Sequence, residues 1–285
     1  MVEIKLGTIA FIGGGVMAEA MIQGLLSRQT VAPEHITVSE PRDKRRAELA
    51  ARYFVRVTAD NREAAHAGAV VVLSIKPQVL TRVLPELKSQ LHAEQLAISI
   101  IAGGRIATLN AGLGHPAVVR AMPNTPAQIG AGITVWTATA QVSPAQREQA
   151  RAVFESLGKE MFVDEEKYLD MATAVSGTGP TYTFLVLEAL IDAAVHLGFS
   201  REQAHDLVIE TMRGSVLYAE KTGKHPAELR NMVTSPGGTS AEAIYQMEKG
   251  SLRTVLSKAV WAAYQKSVLL GETVGKAEPR KPVDA

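Results

Sequence analysis

A glycine-rich turn near the amino terminus is the first group of residues whose types and spacing indicate a chemistry. The apolar run Thr8 to Ile12 leads into Gly13-Gly14-Gly15-Val16-Met17-Ala18, and residues at helical spacing follow. In this G-x-G-x-x-A pattern the first glycine permits a tight turn, and Gly15 lets the backbone approach a pyrophosphate. The helix start adds unpaired N–H groups and a dipole that favours an anion. The sequence therefore predicts a dinucleotide site over residues 13 to 18.

The residues after the second predicted strand give conflicting indications about which dinucleotide binds. Glu40 lies at the distance from the glycine turn that is typical of an acid binding the adenosine ribose, which favours NAD. A neighbouring group of one hydroxyl and three guanidinium side chains suits the 2′-phosphate of NADP instead. Its members are Ser39, Arg42, Arg45 and Arg46. A solvated helix face is an equally good interpretation of the last two arginines.

Lys76 stands at the end of a further predicted strand, Ala69 to Ile75, within Ser74-Ile75-Lys76-Pro77. Ligands of open α/β sheets bind outside the carboxyl ends of the strands, so this position favours a lysine close to the cofactor. A solvated loop lysine is the alternative. Pro77 is expected to open the next helix, where its missing N–H has no partner to lose.

A second loop suited to an anion lies within Val233-Thr234-Ser235-Pro236-Gly237-Gly238-Thr239-Ser240. Thr239 to Glu242 has the pattern of a capping box, which predicts a helix beginning at Thr239. Ser235 and two glycines precede it and leave exposed N–H groups at a helix start, which is a site for a carboxylate or phosphate. Because no cluster of basic residues accompanies the loop, a small carboxylate is favoured. A purely structural helix start is the alternative.

The sequence lacks the usual residues of hydrolytic and metal-dependent catalysis. It contains no cysteine, no Ser–His–Asp spacing and no H-E-x-x-H pattern. His196 and His205 fall in predicted helices, where packing or solvent exposure is the more frequent role of a histidine. We therefore expect no metal, and a cofactor that carries the chemistry while the protein positions the reactants.

Two halves of different character position these groups. Up to residue 165, short apolar runs alternate with stretches of helical spacing, which predicts a dinucleotide-binding Rossmann domain with a doubly wound parallel sheet. Residues 166 to 274 show helical spacing only and form a predicted dimerisation and substrate domain, and the tail 275 to 285 is expected to be disordered. The predicted strands are Thr8 to Ile12, Ile36 to Ser39, Ala69 to Ile75, Leu96 to Ile101, Ala117 to Met122, Gly132 to Trp136 and Glu160 to Val163.

The stretch Phe184 to Leu197 is apolar on nearly every side, which predicts a helix buried all round. A helical unit of about 110 residues encloses such a helix with difficulty, so a partner subunit is expected to cover it. The formal charge of +1 argues against a nucleic-acid partner. No apolar run approaches the roughly 20 residues that span a bilayer, and the start has no signal-peptide pattern, so a soluble, cytoplasmic protein is expected.

Several motifs that follow one another along the chain carry a resemblance to one family. They are Gly13-Gly14-Gly15-Val16-Met17-Ala18-Glu19-Ala20, Lys76-Pro77-Gln78, Arg120-Ala121-Met122-Pro123-Asn124-Thr125-Pro126, Ala174-Val175-Ser176-Gly177-Thr178-Gly179-Pro180 and Val233-Thr234-Ser235-Pro236-Gly237-Gly238-Thr239-Ser240. Together they resemble the pyrroline-5-carboxylate reductases, which catalyse the last step of proline synthesis. The resemblance extends over residues 7 to 272.

The resemblance implies reduction of the cyclic imine 1-pyrroline-5-carboxylate to proline by hydride transfer to the imine carbon. It implies NADPH as the usual cofactor, with NADH also accepted. It further implies a homodimer with interleaved helices, in some members a higher assembly of dimers, and a site between the cofactor domain of one subunit and the helices of the other.

Residue roles follow from the resemblance by position. The pyrophosphate would be held by residues 13 to 18, and the adenosine end by Glu40, Arg42 and Asn61. The nicotinamide side would comprise Ser74, Lys76, Pro77 and the stretch Ile101 to Gly103, which includes Ala102. The substrate carboxylate would be bound by Ser235, Gly238 and Thr239, and the hydroxyl of Ser240 would lie beside the ring nitrogen.

The chain departs from the family pattern at three places. Ser240 stands where Thr is common, Thr178 stands where Ser is common, and Glu40-Pro41 replaces an Asn-Arg or similar pair, which leaves the NADP preference open. Two other interpretations also stay open. One is another Rossmann oxidoreductase, such as a broader imine reductase or a hydroxyacid dehydrogenase, although Ser176 to Leu197 lacks the central lysine of the latter. The other is a nucleotide-sensing or pyridoxal-related binding protein without turnover.

Overall fold

The computed structural model describes residues 6 to 274. The tail that the sequence predicts to be disordered, 275 to 285, lies outside the described residues. Within them the chain divides into two compact units. The first unit comprises Met1–Thr178 together with Ala263–Ala285, and the second comprises Gly179–Ala262. The functional division at residues 165 and 274 stays a prediction.

An eight-stranded sheet forms the centre of the first unit. Its strands are β1 (Ile9–Ile12), β2 (Ile36–Ser39), β3 (Arg56–Thr58), β4 (Val70–Leu73), β5 (Leu96–Ser99), β6 (Val118–Met122), β7 (Gly132–Ala138) and β8 (Gly158–Phe162). They lie in the order β3-β2-β1-β4-β5-β6-β7-β8, and every pair is parallel except β6 with β7. The predicted Rossmann fold class with a doubly wound, mostly parallel sheet is confirmed, and the antiparallel β6–β7 pair is a detail that the sequence did not predict.

Helices cover the sheet and make up the second unit. Those in the α/β part are α1 (Val16–Ser27), α2 (Asp43–Tyr53), α3 (Asn61–Ala67), α4 (Leu80–Leu87), α5 (Ile106–Leu113) and α6 (Pro144–Glu155). Those that follow are α7 (Lys167–Ala172), α8 (Gly179–His196), α9 (Arg201–Thr222), α10 (Pro226–Met232), α11 (Thr239–Lys249) and α12 (Leu252–Thr273). Over residues 6 to 274 no strand follows β8, as the sequence predicts.

The central strands form because their residues are buried on both faces of the sheet. Every residue of β1, β2 and β4 is buried, as expected of parallel strands that carry helices on each side. Alternate side chains of β1 enter different cores: Ile9 and Phe11 pack in one, Ala10 and Ile12 in the other. Two hydrophobic cores therefore fix the sheet edge from which the candidate site is built.

Several short elements were not predicted, and one predicted helix has wrong ends. The strand β3 and the helices α3 and α5 are only three, seven and eight residues long, too short for a clear period. The helical spacing of Val79 to Leu91 in the sequence predicts one helix, but a 3₁₀ turn occupies Pro77–Val79 and the α-helix ends at Leu87. The sequence patterns Ser143-Pro144-Ala145-Gln146 and Ser200-Arg201-Glu202-Gln203 each predict a capping box. Both boxes are present, with each pair of reciprocal hydrogen bonds formed.

The apolar helix α8 is exposed rather than enclosed in the single chain. Phe184 is 58% exposed and Leu185 65%, and none of its residues is buried. The second unit of one chain has too few other helices to surround α8, and burial of this helix by a partner subunit stays a prediction. No helix among the described residues is both long and apolar enough to cross a membrane.

Candidate active site

The glycine turn is held between the ends of two strands. Gly13 has φ +101°, and a Cβ there would lie 2.9 Å from Cγ2 of Ile75 and 3.0 Å from the carbonyl oxygen of Ser74. Its N–H donates to the carbonyl of Ser39 at 2.9 Å, and the hydroxyl of Ser74 donates to its carbonyl at 2.8 Å. Only glycine fits this position, and the ends of β2 and β4 fix the path of the turn.

The rest of the turn presents the start of α1 to solvent. Gly15 is the N-cap residue in an extended conformation, and no side chain caps the helix. The first N–H groups of an α-helix have no partner within it, so they remain available to an anion. A Cβ at Gly14 would lie 2.7 Å from Cδ1 of Leu49, so helix α2 also packs closely on the turn. This cradle, from which side chains are excluded, fits a pyrophosphate.

Glu40 lies beneath the turn and is almost fully buried. Its Oε2 accepts the N–H of Gly14 at 3.2 Å, and its Oε1 accepts Nε of Arg42 at 2.7 Å. Burial alone would raise the pKa of this carboxyl, but the hydrogen bonds from Arg42 and Gly14 and the charge of Arg42 hold the pKa below its ordinary value. The carboxylate thus braces the phosphate turn, a role that the sequence did not indicate.

The three arginines that follow Glu40 have different surroundings. Arg45 donates from Nε to the carbonyl of Gly14 at 2.8 Å and pairs with Glu19 on α1. Arg46 donates to the carbonyl of Glu40 at 2.6 Å and pairs with Asp43. Neither guanidinium is a solvated side chain on a helix face: Arg45 ties α2 to the turn, and Arg46 ties α2 to the residue that follows β2. Arg42 differs, since its side chain is 69% exposed and lies at the outer rim.

Glu19, the acid that pairs with Arg45, accepts further hydrogen bonds. Glu19 also accepts the hydroxyl of Tyr53 at 2.8 Å and a guanidinium N–H of Arg52 at 2.7 Å. Burial opposes its charge, but the bonds from Arg45, Tyr53 and Arg52 hold its pKa below the ordinary value. Glu19 therefore joins α1 to α2 behind the phosphate turn. In the sequence, only its position within the glycine motif indicates a role at this site.

Ser39 and Asn61 meet at the end of β2. The Ser39 hydroxyl donates to Oδ1 of Asn61 at 2.7 Å, and Nδ2 of Asn61 donates to Oε2 of Glu86 at 2.7 Å. The structure therefore brings together Ser39, Glu40, Arg42 and Asn61, the residues expected at the adenosine end.

The residues expected on the nicotinamide side follow β4 and β5. Lys76 is exposed and precedes the 3₁₀ turn that begins at Pro77. Ala102 follows β5 in a loop whose next residue, Gly103, has φ +74°. Because β4 and β5 are adjacent and parallel, both stretches leave the sheet at the same edge as the glycine turn.

The second anion loop, in the second unit, is built around two glycines. Gly237 has φ +70°, and a Cβ at Gly238 would lie 2.5 Å from Oγ of Ser235. The N–H of Gly238 donates to the carbonyl of Ser235 at 3.1 Å. The helix α11 begins at Thr239 as predicted, but its N-cap is Gly238 and no capping box forms. Thr239 is thus the first helical residue, and the N–H groups of Thr239 and Ser240 have no partner within the helix.

The glycine-rich stretch before α8 contains a turn of π-helix, Thr173–Gly177. The N–H and the hydroxyl of Thr178 both donate to the carbonyl of Thr173 at 2.8 Å. A Cβ at Gly177 would lie 3.0 Å from Cε of Met122, so this glycine permits close packing against the end of β6. In the described residues no three His, Cys, Asp or Glu side chains are grouped to hold a metal ion, and metal-free chemistry stays a prediction.

Two family models match parts of the chain. Residues 166–270 match the model described as pyrroline-5-carboxylate reductase dimerisation. Residues 8–103 match the model described as NADP oxidoreductase, coenzyme F420-dependent. The second match contains the glycine turn and the loop after β5.

Characterised relatives are similar over nearly the whole chain. The pyrroline-5-carboxylate reductase of Synechocystis sp. is 43% identical over 95% of this chain and 99% of its own length. That of Pseudomonas aeruginosa is 43% identical over 94% and 98%. Among solved structures, the Coxiella burnetii reductase has a TM-score of 0.86 at 36% identity, covering 94% of this chain and 100% of the other. The Plasmodium falciparum reductase with NADP bound has a TM-score of 0.86 at 32% identity, covering 94% and 99%.

The lowered pKa of Glu40 predicts a pH-dependent contribution to stability. The folded-state pKa lies below the ordinary 4.5, so the contribution is complete above that value and is lost as pH falls through the folded-state pKa. We expect Glu40→Gln to lower the free energy of unfolding by about 1 kcal/mol at neutral pH. Urea unfolding at a series of pH values should show that this difference disappears in acid.

The exposed Glu34 provides the matched control, and Glu34→Gln should change stability little at any pH. A deficit in Glu40→Gln that stays constant from neutral to acid pH would contradict the role of the ionised carboxylate.

Proposed function

The chain belongs to the pyrroline-5-carboxylate reductase family, and on that premise we propose that it reduces 1-pyrroline-5-carboxylate to proline with NADPH. The observation that carries the proposal is the presence of both a dinucleotide turn and a separate carboxylate loop. They occur in a chain that is similar to these reductases along almost its full length. The presence of both sites in one chain favours an enzyme over a binding protein without turnover.

The cofactor lies across the carboxyl edge of the sheet. Its pyrophosphate binds at residues 13 to 18, where the turn and the start of α1 offer N–H groups. Its adenosine end lies over β2, beside Ser39, Glu40, Arg42 and Asn61. Since β4 and β5 lie on the other side of β1 from β2, the nicotinamide lies toward Ser74, Lys76, Pro77 and Ala102.

Arg42 is the residue proposed to bind the 2′-phosphate of NADPH. Arg42 is paired with Glu40 but remains exposed at the outer rim, whereas Arg45 and Arg46 are less exposed and also donate to backbone carbonyls. Glu40 is turned inward toward Gly14 and Arg42, which lessens its repulsion of a phosphate. NADH remains a weaker substrate, because the contacts of the pyrophosphate and the nicotinamide are common to both dinucleotides.

The substrate carboxylate binds at the start of α11. The N–H groups of Thr239 and Ser240 and the hydroxyl of Ser235 are the donors. Gly238 acts by its missing side chain, since its own N–H is engaged with the carbonyl of Ser235. Binding through backbone N–H groups agrees with the lack of a basic cluster in this loop.

Reduction requires a hydride at the imine carbon and a proton on the imine nitrogen. Bound NADPH supplies the hydride from C4 of the nicotinamide. The Ser240 hydroxyl, one residue into α11, donates a hydrogen bond to the neutral imine nitrogen or accepts one from the protonated iminium. The carboxylate anchor fixes the orientation of the ring, and orientation alone can supply about 7 to 11 kcal/mol of the barrier reduction. This accounts for catalysis without a strongly perturbed acid or base.

The enzyme is proposed to be a cytoplasmic homodimer whose dimers can assemble further, with no nucleic-acid or membrane partner. Residues 166–270 match the dimerisation model, and the second unit exposes large apolar side chains along two helices. The charge of +1 and the absence of cysteine agree with a reducing compartment and with no polyanionic partner. A second copy is the occupant that fits an apolar surface of this extent.

The first test of the proposal is the loss of NADPH absorbance with 1-pyrroline-5-carboxylate as substrate. We expect saturable turnover and a higher kcat/KM with NADPH than with NADH. Arg42→Ala should narrow that ratio by about tenfold, because one charge-assisted contact to the 2′-phosphate is lost. Absence of turnover with either dinucleotide, in protein that still binds both, would reject the proposed reaction.

The role of Ser240 is tested by removing and restoring its hydroxyl. We expect Ser240→Ala to reduce kcat by about 10²-fold, because a positioned hydrogen bond to the reacting nitrogen is lost. Ser240→Thr should retain activity, since the hydroxyl is kept. Ser27→Ala, which removes an exposed hydroxyl from α1, is the matched control. Normal turnover in Ser240→Ala would show that binding of the carboxylate suffices.

The homodimer is tested by charging its proposed surface. Leu185→Glu on α8 and Val216→Glu on α9 replace side chains that are 65% and 64% exposed in one chain. We expect sedimentation velocity to show dissociation of both variants, because a buried charge without a partner is costly. Ile129→Glu, at an exposed apolar residue of the first unit, is the control and should stay dimeric. An unchanged sedimentation coefficient in the α8 and α9 variants would place the interface elsewhere.

A further inference from the structure

Arg120, at β6, is a buried cation that neither the cofactor nor the substrate proposal uses. Arg120 is 3% exposed, and its guanidinium donates to Oε1 of Glu166 at 2.8 Å and to Oδ1 of Asp170 at 3.3 Å. A buried ion pair is a weak source of stability, because the loss of hydration offsets much of the attraction. Its place in the fold therefore calls for another explanation.

The two acids extend the network to two more helices. Oδ1 of Asp170 also accepts the hydroxyl of Ser267, which lies in the part of α12 that belongs to the first unit, at 2.9 Å. Oε1 of Glu166 also accepts the N–H of Ile106, the first residue of α5, at 2.8 Å. A carboxylate at this helix start satisfies an N–H that has no partner within the helix and complements the helix dipole. The term Arg120 network is used below for Arg120, Glu166, Asp170 and Ser267.

Both attachments lead to the loop between β5 and α5. The helix start that Glu166 holds is the carboxyl end of this loop. On its other side α12 packs directly on the loop: a Cβ at Gly103 would lie 3.0 Å from the carbonyl carbon of Leu270, and a Cβ at Gly271 would lie 2.7 Å from Nε of Arg105. The loop from Ile101 to Gly104 is thus packed against α12 on one side and ends at a helix start that Glu166 holds.

In the proposed binding mode, this loop would lie beside the nicotinamide half of the cofactor. It leaves the carboxyl edge of the sheet from β5, two strands from β1, whose turn holds the pyrophosphate. The adenosine end extends in the opposite direction, over β2. A change in the loop therefore affects the nicotinamide ring and leaves the adenosine half untouched.

We propose that the Arg120 network positions the loop Ile101 to Gly104 relative to the nicotinamide ring. None of its four side chains is a catalytic residue, since each acts through the loop or through α12. The inference rests on the proposed function, because hydride transfer is the step that depends on the ring position. It assigns a role to Arg120, the first residue of its motif, and to Glu166, which accepts the N–H of Ile106 from sixty residues further along the chain.

The test is Asp170→Asn, which keeps the shape of the side chain and an acceptor for Ser267 but removes the charge facing Arg120. We expect kcat at saturating NADPH to fall by about ten- to a hundredfold, since a small misplacement of the reacting group has effects of this size. The dissociation constant of NADPH should rise. That of 2′,5′-ADP, which contains only the adenosine half, should not change.

Glu160→Gln is the matched control. Glu160 on β8 is likewise bonded to an arginine and to a buried tryptophan, Arg151 and Trp136, but it lies at the far edge of the sheet. We expect this variant to lower the melting temperature without changing kcat or either dissociation constant.

Three outcomes decide the proposal. A lower melting temperature in Asp170→Asn with kcat and NADPH affinity unchanged would overturn it, because the network would then be structural only. If Asp170→Asn does not fold, Ser267→Ala replaces it, with the same pattern expected in milder form and Ser267→Thr restoring it. If the wild type binds NADPH but does not reduce the imine, the proposed function fails, and the NADPH to 2′,5′-ADP affinity ratio still tests the network.

Discussion

The left-handed backbone of Gly13, fixed between the ends of β2 and β4, is the constraint on which the cofactor site depends. Its N–H and carbonyl are bonded to Ser39 and Ser74, so the turn cannot move without breaking contacts to both neighbouring strands. Around it, Glu40, Arg45 and Arg46 bond to backbone atoms at or beside the turn. These charged side chains fix the backbone conformation, and in the proposed function the free backbone N–H groups bind the anion.

The same physical solution recurs at the proposed substrate loop. There too a glycine with positive φ and a close contact without Cβ precede a helix, and N–H groups rather than lysines are the donors. In the proposed function, cofactor and substrate are therefore both held by directional dipoles of fixed position. Such donors orient a ligand without requiring reorganisation, which suits a reaction whose chemical power comes from the cofactor.

Much of this could be predicted from the sequence, because the informative features are local. The glycine turn, the buried strands and the Ser143 and Ser200 caps depend on residues within a few positions of one another. The inward position of Glu40 could not be predicted, because it depends on Gly14, which is brought near only by pairing of β1 with β2. The Arg120 network includes a hydrogen bond between residues 97 positions apart, and no periodic pattern encodes such contacts. The start of α11 at Thr239 was predicted correctly, but the capping box was not, because Gly238 is the N-cap residue and no side chain caps the helix.

The exposed apolar faces of α8 and α9 have a thermodynamic consequence. If a second copy completes the core of these helices, folding and association are one equilibrium, and the free energy of unfolding contains a term in protomer concentration. Dilution then destabilises the second unit, which contains Ser240, while the sheet retains its own two cores. Cofactor binding would outlast catalysis as the protein is diluted, since each depends on a different source of hydrophobic burial.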